Sequence, residues 1–406
     1  MSVVFAVGDA VEFDSQFRGF QACVSDFPSA IAFLGRKWDG DHGGRDQWIR
    51  YWTARARAAR NACERGALGL FWAFPRTTYF TGYALDDAGW EVIDVVTHHF
   101  AQGRPKARGL LKPSSEHWYL VRNGGSAPLQ VDRCMVPRPE GVNSTPAGSF
   151  ESSAARESYQ AGHGRQYQFR GSLPTNLIIS HAPECTPTAH LAGCDCGASS
   201  VEPTSFGAPP PCSACGAARW WACPAAEIDA QSGERVSGLM RAGTQRTTGG
   251  GYNGFGPQAV HADTYADSGG ASRFFPQFYY AAKSPSRERH AGCHDLFWER
   301  DDDSMFGFRR VSRERYATLL PDRRALGNVH PTVKGIGTKR HPLIARWLVR
   351  LITPPGGRVC DVTCGSGSIA IAAHLEGFDA VGMDICPEAI LISQHRAAYW
   401  ESEERR

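Results

Sequence analysis

Two groups of residues in this 406-residue chain have the types and spacing to do chemistry. The first is Gly365-Ser366-Gly367-Ser368, which follows the apolar run from Arg358 to Asp361. Glycines at this spacing let backbone approach a ligand closely, and the N-terminus of the next helix supplies free N–H groups. Ser366 or Ser368 can cap that helix and Gly377 can end it. The next strand, Phe378 to Asp384, carries an acid to its carboxyl end. Together these make one βαβ unit with a ligand crevice over its strand ends. By itself, Gly-x-Gly-x-x-Ala followed by an acid fits a dinucleotide-binding turn equally well.

The second group is made of cysteines. Cys194-x-Cys196 is followed, after 15 residues, by Cys212-x-x-Cys215. Thiolates in two close pairs suit a tetrahedral structural zinc, with free thiols in a variable insertion as the plainer alternative. His290, Cys293 and His294 form a looser group that reads as no metal site.

The βαβ unit needs more sheet than it brings. Only 22 residues follow Asp384, enough for one helix from Pro387 to about Tyr399. A parallel sheet must be covered on both faces, so its other strands are expected from the N-terminal half. Candidates are there. Val3 to Val7 is an apolar run ending in Gly8-Asp9, and Phe20 to Ser25 leads into Asp26-Phe27-Pro28-Ser29. Leu68 to Phe74 is a strand stopped by Pro75, followed by a helix over Thr78 to Ala88 and a strand over Trp90 to His98. Gln47 to Arg65 reads as a helix whose arginines occupy a solvated face. From Asn123 to about Ser272 the chain is dense in Gly, Ser, Pro and Ala and reads as loop-rich. Near the end, Leu343, Ile344, Trp347, Leu348, Leu351 and Ile352 mark a helix with one buried face, leaving Arg346 and Arg350 on the other.

Composition narrows the class. A hydrophobic content of 42% supports a sizeable core, and a net charge of +3 requires any nucleic-acid surface to be a local patch. There is no apolar run of membrane-spanning length and no pattern of a secretory signal, so a cytoplasmic, membrane-free protein is expected. Scattered cysteines, 13 in all and therefore odd in number, argue for reduced thiols rather than a disulfide framework.

Taken in order, His330-Pro331-Thr332-Val333-Lys334, a helix, Asp361 and Gly365-Ser366-Gly367-Ser368 resemble the permuted (β-type) DNA amino-methyltransferases of phages and prophages. Those enzymes carry His-Pro-Thr-x-Lys-Pro, a helix, and an Asp-Pro-Phe-x-Gly-Ser-Gly-Thr loop that binds S-adenosylmethionine. The resemblance implies an α/β, Rossmann-like S-adenosylmethionine-dependent methyltransferase fold, circularly permuted, with a loop-rich insertion. Residues 1–123 would be the catalytic half, 124–324 the inserted target-recognition region, and 325–406 the cofactor-binding half. The implied cofactor residues are Asp9, His330, Thr332, Lys334, Asp361, Gly365, Ser366, Gly367, Ser368 and Asp384. The implied activity is site-specific methylation of adenine N6 or cytosine N4 in double-stranded DNA, inside a bacterial or phage-infected cell.

The resembled family activates the amino group with an Asp/Asn/Ser-Pro-Pro-Tyr loop. Its first side chain and a backbone carbonyl accept hydrogen bonds from the amino group, and its aromatic ring stacks on a flipped base. Here the loop reads Asp26-Phe27-Pro28-Ser29, so Phe27 stands in place of a proline and Ser29 cannot stack. Two further departures are Lys334-Gly335 for Lys-Pro and Asp361-Val362-Thr363 for Asp-Pro-Phe. Two readings follow: an enzyme in which Asp26 is the acceptor and Phe27 or a neighbour holds the base, or a DNA-binding protein that keeps the fold without catalysis. Arg36, Lys37 and Trp38 could touch phosphate or a displaced base.

Overall fold

Buried strands that run apolar on both faces belong in a covered parallel sheet, and the strands that position the site are of this kind. In β2 (Phe20–Ser25), Phe20, Ala22, Cys23, Val24 and Ser25 are all buried. In β3 (Cys63–Ala73), Leu68, Leu70 and Phe71 are buried, and Pro75 follows the strand. The computed structural model describes residues 2–99, 114–134, 136–137, 171–172, 174–180, 191–192, 220–221, 224–237, 267–278, 286–305, 307–337 and 343–404.

Contacts divide the chain into two units. The first comprises residues 1–133, 176–185 and 278–406, and the second 134–175 and 186–277. Residues 124–133 and 278–324, which the expected boundaries assign to the inserted region, are grouped by contact with the first unit. There they form a small antiparallel sheet of β7 (Phe297–Arg300), β8 (Phe308–Val311) and β9 (Arg324–Leu326), closed over Trp298. Within the second unit, Asp229 of helix Pro224–Ser232 accepts from the Ser272 N–H and hydroxyl, both at 2.7 Å.

The main sheet of the first unit draws on both ends of the chain. Besides β2 and β3 it contains β1 (Val3–Val7), β4 (Glu91–His99), β5 (Ser115–Arg122), β6 (Leu177–Ser180), β10 (Arg358–Asp361) and β11 (Asp379–Asp384). Their order is β1-β11-β10-β2-β3-β5-β4-β6. The run from β1 to β3 is parallel, and β5 is antiparallel to both β3 and β4. Registry puts Val7 beside Asp384 and Cys360 beside Cys23, so the first and last parts of the chain share one sheet as expected. This is a mixed α/β architecture built on a parallel-rich sheet.

The helices depart from expectation in two places. Helix α1 spans Arg45–Ala62, because Cys63 to Arg65 already belong to β3. Its Arg55 is buried rather than solvated. Helices α2 (Thr78–Asp87), α3 (Ile344–Ile352), α4 (Ser368–Leu375) and α5 (Pro387–Glu404) lie close to their predicted spans. In α3, however, Arg346 is only 1% exposed, so the apolar stripe wraps further round than its spacing predicts. Glu376, just beyond α4, binds the Arg346 guanidinium and takes Arg350 at 2.5 and 2.7 Å. Against the upward push of burial, Arg350 and Arg346 hold Glu376 below its ordinary pKa.

Candidate active site

A cavity of about 550 Å³ opens over the carboxyl ends of β2, β10 and β11, within the first unit. That volume falls in the range of small-molecule sites. Its wall includes Asp9, Asp26, Pro28, His330, Thr332, Lys334, Asp361, Gly365, Ser366, Ser368 and Asp384. Residues up to 375 positions apart in sequence thus converge on one space. Phe27, Ser29 and Gly367 do not line it.

One side of the cavity is the turn between β10 and α4. Gly365 and Gly367 have φ of +52° and +78°, in the left-handed region that favours glycine. A Cβ on Gly365 would sit 2.8 Å from the His330 ring, and one on Gly367 would sit 2.9 Å from Ser393 and 3.0 Å from Phe5. Gly367 is therefore demanded by packing as well as by backbone conformation. The expected serine cap is not made: Gly367 is the N-cap and has no side chain to give. Instead Arg396 of α5, fully buried, donates to the Ser366 carbonyl at 2.5 Å and to the Ser368 hydroxyl at 3.0 Å.

Asp384 closes this side. Its two oxygens accept the Gly365 and Cys386 N–H groups, each at 2.9 Å. Burial raises its pKa to about 6 even so. Asp361 accepts the Ser25 hydroxyl at 2.9 Å and is pushed to about 8 by burial, so it is largely protonated at neutral pH. His330 is held neutral, with burial lowering its pKa to about 4, and its Nδ1 lies 2.5 Å from the Thr332 carbonyl. Asp9 caps the turn after β1 through the Val11 N–H at 3.0 Å and takes Arg55 at 2.5 Å. The Arg55 guanidinium carbon in turn lies over Tyr51, 3.3 Å from its ring centre.

The other side is the loop after β2. Burial raises the Asp26 carboxyl to about 6, and nearby Lys334 limits the rise. The Asp26 carbonyl accepts the Thr363 hydroxyl at 3.2 Å, tying the loop to the end of β10. Phe27 cannot hold a base. It is 1% exposed and packs against Trp52 and Phe71, with ring centres 4.7 and 4.9 Å away. Ser29 is also committed: its N–H and hydroxyl go to the buried Asp39, and its carbonyl accepts Thr77 at 2.6 Å. These bonds fix residues 26–29 against the turn that carries Arg36 and Trp38 to the cavity wall. Tyr51 and His42, stacked 4.1 Å apart, complete an aromatic wall near the loop.

Sequence reasoning missed the residues around Lys334. Its ammonium donates to Glu116 at 2.9 Å, lies 3.8 Å from Asp26, and faces the rings of Trp72 and Trp118 at 4.7 and 5.3 Å. The ammonium thus joins the Asp26 side rather than the Asp384 side. Glu116 lies at the start of β5, between Ser115 and His117, where no alternation of polar and apolar residues marks it out. Tyr51, Arg55 and His42 left no clearer mark. The four expected zinc ligands, Cys194, Cys196, Cys212 and Cys215, lie outside the described residues, and among the described residues no group of three or more His, Cys, Asp or Glu could hold a metal. Nor, among those residues, is any helix long and apolar enough to cross a membrane.

No known family profile matches the chain. A stretch of 83 residues is 41% identical to the ribosomal protein L11 methyltransferase of Haemophilus ducreyi, covering 20% of this chain and 28% of that protein. Over 65 residues it is 45% identical to the protein of that name from Cupriavidus taiwanensis, covering 15% and 22%. The chain therefore spans less than a third of the length of these relatives. Among solved structures it is similar to the PvuII DNA methyltransferase (cytosine-N4-specific), with a TM-score of 0.45 and 9% identity over 98% of this chain and 86% of that one. The complex of M1.HpyAVI with SAM gives a TM-score of 0.39 and 9% identity, over 97% and 100%.

Proposed function

We propose that this protein transfers a methyl group from S-adenosylmethionine to the exocyclic amino group of adenine (N6) or cytosine (N4) in double-stranded DNA, as a permuted enzyme of the phage type. One observation carries the reading: a single cavity joins Asp26 and Pro28 on one side with Gly365, Ser366 and Asp384 on the other. A cofactor seated on the glycine turn would then share one space with the acceptor loop.

The residues present fit S-adenosylmethionine. The cofactor carries a cationic sulfonium and ammonium, and carboxyl groups predominate over the basic residues Arg36, Arg55 and Lys334 in the cavity wall. Asp384 keeps lone pairs for ribose hydroxyls beyond the N–H bonds it already accepts. When bound, S-adenosylmethionine supplies an electrophilic methyl group. The chain's own task is to make a poor nitrogen nucleophile attack it. Asp26, with its pKa near 6, is mostly anionic at neutral pH and can accept a hydrogen bond from the amino group. As the nitrogen gains the methyl group it becomes acidic, and the Asp26 carboxylate is the base within reach. Trp38, an aromatic of the cavity wall near the loop, rather than the buried Phe27, is our candidate to hold the base.

The rival reading, a DNA-binding protein that keeps this fold without catalysis, draws on the missing loop aromatic. Incubating unmethylated DNA with the protein and labelled S-adenosylmethionine, then identifying nucleosides by mass spectrometry, separates the two. N6-methyl-2′-deoxyadenosine or N4-methyl-2′-deoxycytidine in the digest supports catalysis, and label remaining wholly on the cofactor supports the rival.

A further inference from the structure

Lys334 is in an unusual position for a charged side chain. It stands in the cavity wall with Trp72 and Trp118 rings at 4.7 and 5.3 Å, a seat that suits a cation. Burial alone would lower its pKa, yet Asp26 and Glu116 reverse this and hold it above the ordinary lysine value. Glu116 is itself built in. It accepts Lys334 at 2.9 Å and the Trp72 indole N–H at 2.7 Å, and it meets the His98 ring at 2.9 Å. The far nitrogen of His98 lies 2.6 Å from the Ser180 hydroxyl of β6. Burial works against the Glu116 anion, but Lys334 and His98 overcome it and hold its pKa well below the carboxylate range. A chain of contacts thus runs from β6 through β4 and β5 to the ammonium, and ends 3.8 Å from Asp26.

We infer that Lys334, clamped by Glu116 between two tryptophans, is a positioning residue that keeps the Asp26 carboxylate charged and aimed into the cavity. This rests on the reading of Asp26 as the amino-group acceptor. A carboxyl taken out of water tends to hold its proton, and a protonated Asp26 could not accept the bond from the amino group. Lys334 opposes that tendency. The other groups facing Asp26 are Glu116, Asp39 and Asp361, all acids, which push the other way or, when protonated, do nothing. Among the charges acting on Asp26, Lys334 is the cation.

The test is the titration of Asp26 in the full-length, cofactor-free protein, followed by NMR of aspartate carboxyl carbons and assigned with Asp26→Asn. Lys334→Met should raise its midpoint by about one unit or more, the range of an opposite charge at this distance. Glu116→Gln keeps an acceptor for Lys334 but removes an anion, so it should move the midpoint down. If Lys334→Met fails to fold by circular dichroism, Lys334→Gln, which keeps a polar side chain without the charge, decides by the same upward shift. An Asp26 midpoint unmoved in the folded variants, or moved in the opposite directions, overturns the inference. Methyl transfer to unmethylated DNA, measured against pH, adds a second readout: the acid limb should follow the same shifts. Shifted titrations with no transfer by the wild type at any pH would leave the clamp standing and remove the methyltransferase reading instead.

Discussion

At the scale of single residues, burial sets the chemistry. Asp26, Asp361 and Asp384 have pKa values raised to about 6, 8 and 6, with burial the largest cause in each case. If the Asp26 anion accepts the amino group, turnover is present above its pKa and is lost as pH falls through about 6, which a pH–rate profile at saturating cofactor will read. Asp361 gives a stability test. Its folded pKa lies above its unfolded value, so the folded state binds the extra proton, and this contribution is lost as pH rises through about 8. The thermal midpoint of the wild type should therefore fall more steeply between about pH 5 and pH 8 than that of Asp361→Asn, and level off above. Equal slopes would show that Asp361 is ionised throughout. The identity of these acids was legible in the sequence, because each ends an apolar run. Their protonation was not, since it depends on neighbours such as Ser25 and Lys334 that lie hundreds of positions away. Phe27 shows the same limit. Adjacent to Asp26 in sequence, it belongs to the core that Trp52 and Phe71 create.

At the scale of elements, the site is held by a few connections between helices, turns and strand ends. Glu376 joins the arginines of α3 to the end of α4, and Arg346 has almost no exposure to water. Glu376→Ala leaves that buried charge without its acid and should cost about 3–5 kcal/mol in urea unfolding. A loss under 1 kcal/mol would mean that the Leu375 carbonyl, which Arg346 also reaches, suffices. Replacing Gly367 by a bulky residue is not a clean test of cofactor binding, because its Cβ would meet Ser393 and Phe5. Trp38→Ala is a cleaner probe of the acceptor side. It should lower transfer to DNA about 10-fold or more, in line with the loss of one stacked base, while cofactor affinity measured by calorimetry stays unchanged. Most of these elements were legible from periodicity and from Gly and Pro punctuation. The exceptions, the end of α1 and the side of α3 bearing Arg346, follow from partners. A strand edge claimed Cys63 to Arg65, and a distant glutamate made an arginine burial-competent.

At the scale of the whole molecule, one sheet draws its parallel strands from both ends of the chain, and this was readable because the last βαβ unit is too small to bury itself. Less readable was the middle of the chain. Gly, Ser and Pro density reads as loop over residues 123–272, but nothing in it foretells the small sheet that β7, β8 and β9 form within the first unit. With a net charge of only +3, the proposed attraction to DNA would have to come from a local patch, so binding should weaken as salt rises by an amount reflecting few phosphate contacts. Cofactor and acceptor are proposed to meet at Asp26, and comparing wild type with Asp26→Ala measures this directly. Methyl transfer to unmethylated DNA is followed in single turnover, and S-adenosylmethionine affinity is measured in parallel by calorimetry. Asp26→Ala should reduce the transfer rate by orders of magnitude with nearly unchanged cofactor affinity, because the lost interaction belongs to the transition state. Transfer by the wild type that Asp26→Ala leaves intact would contradict the account.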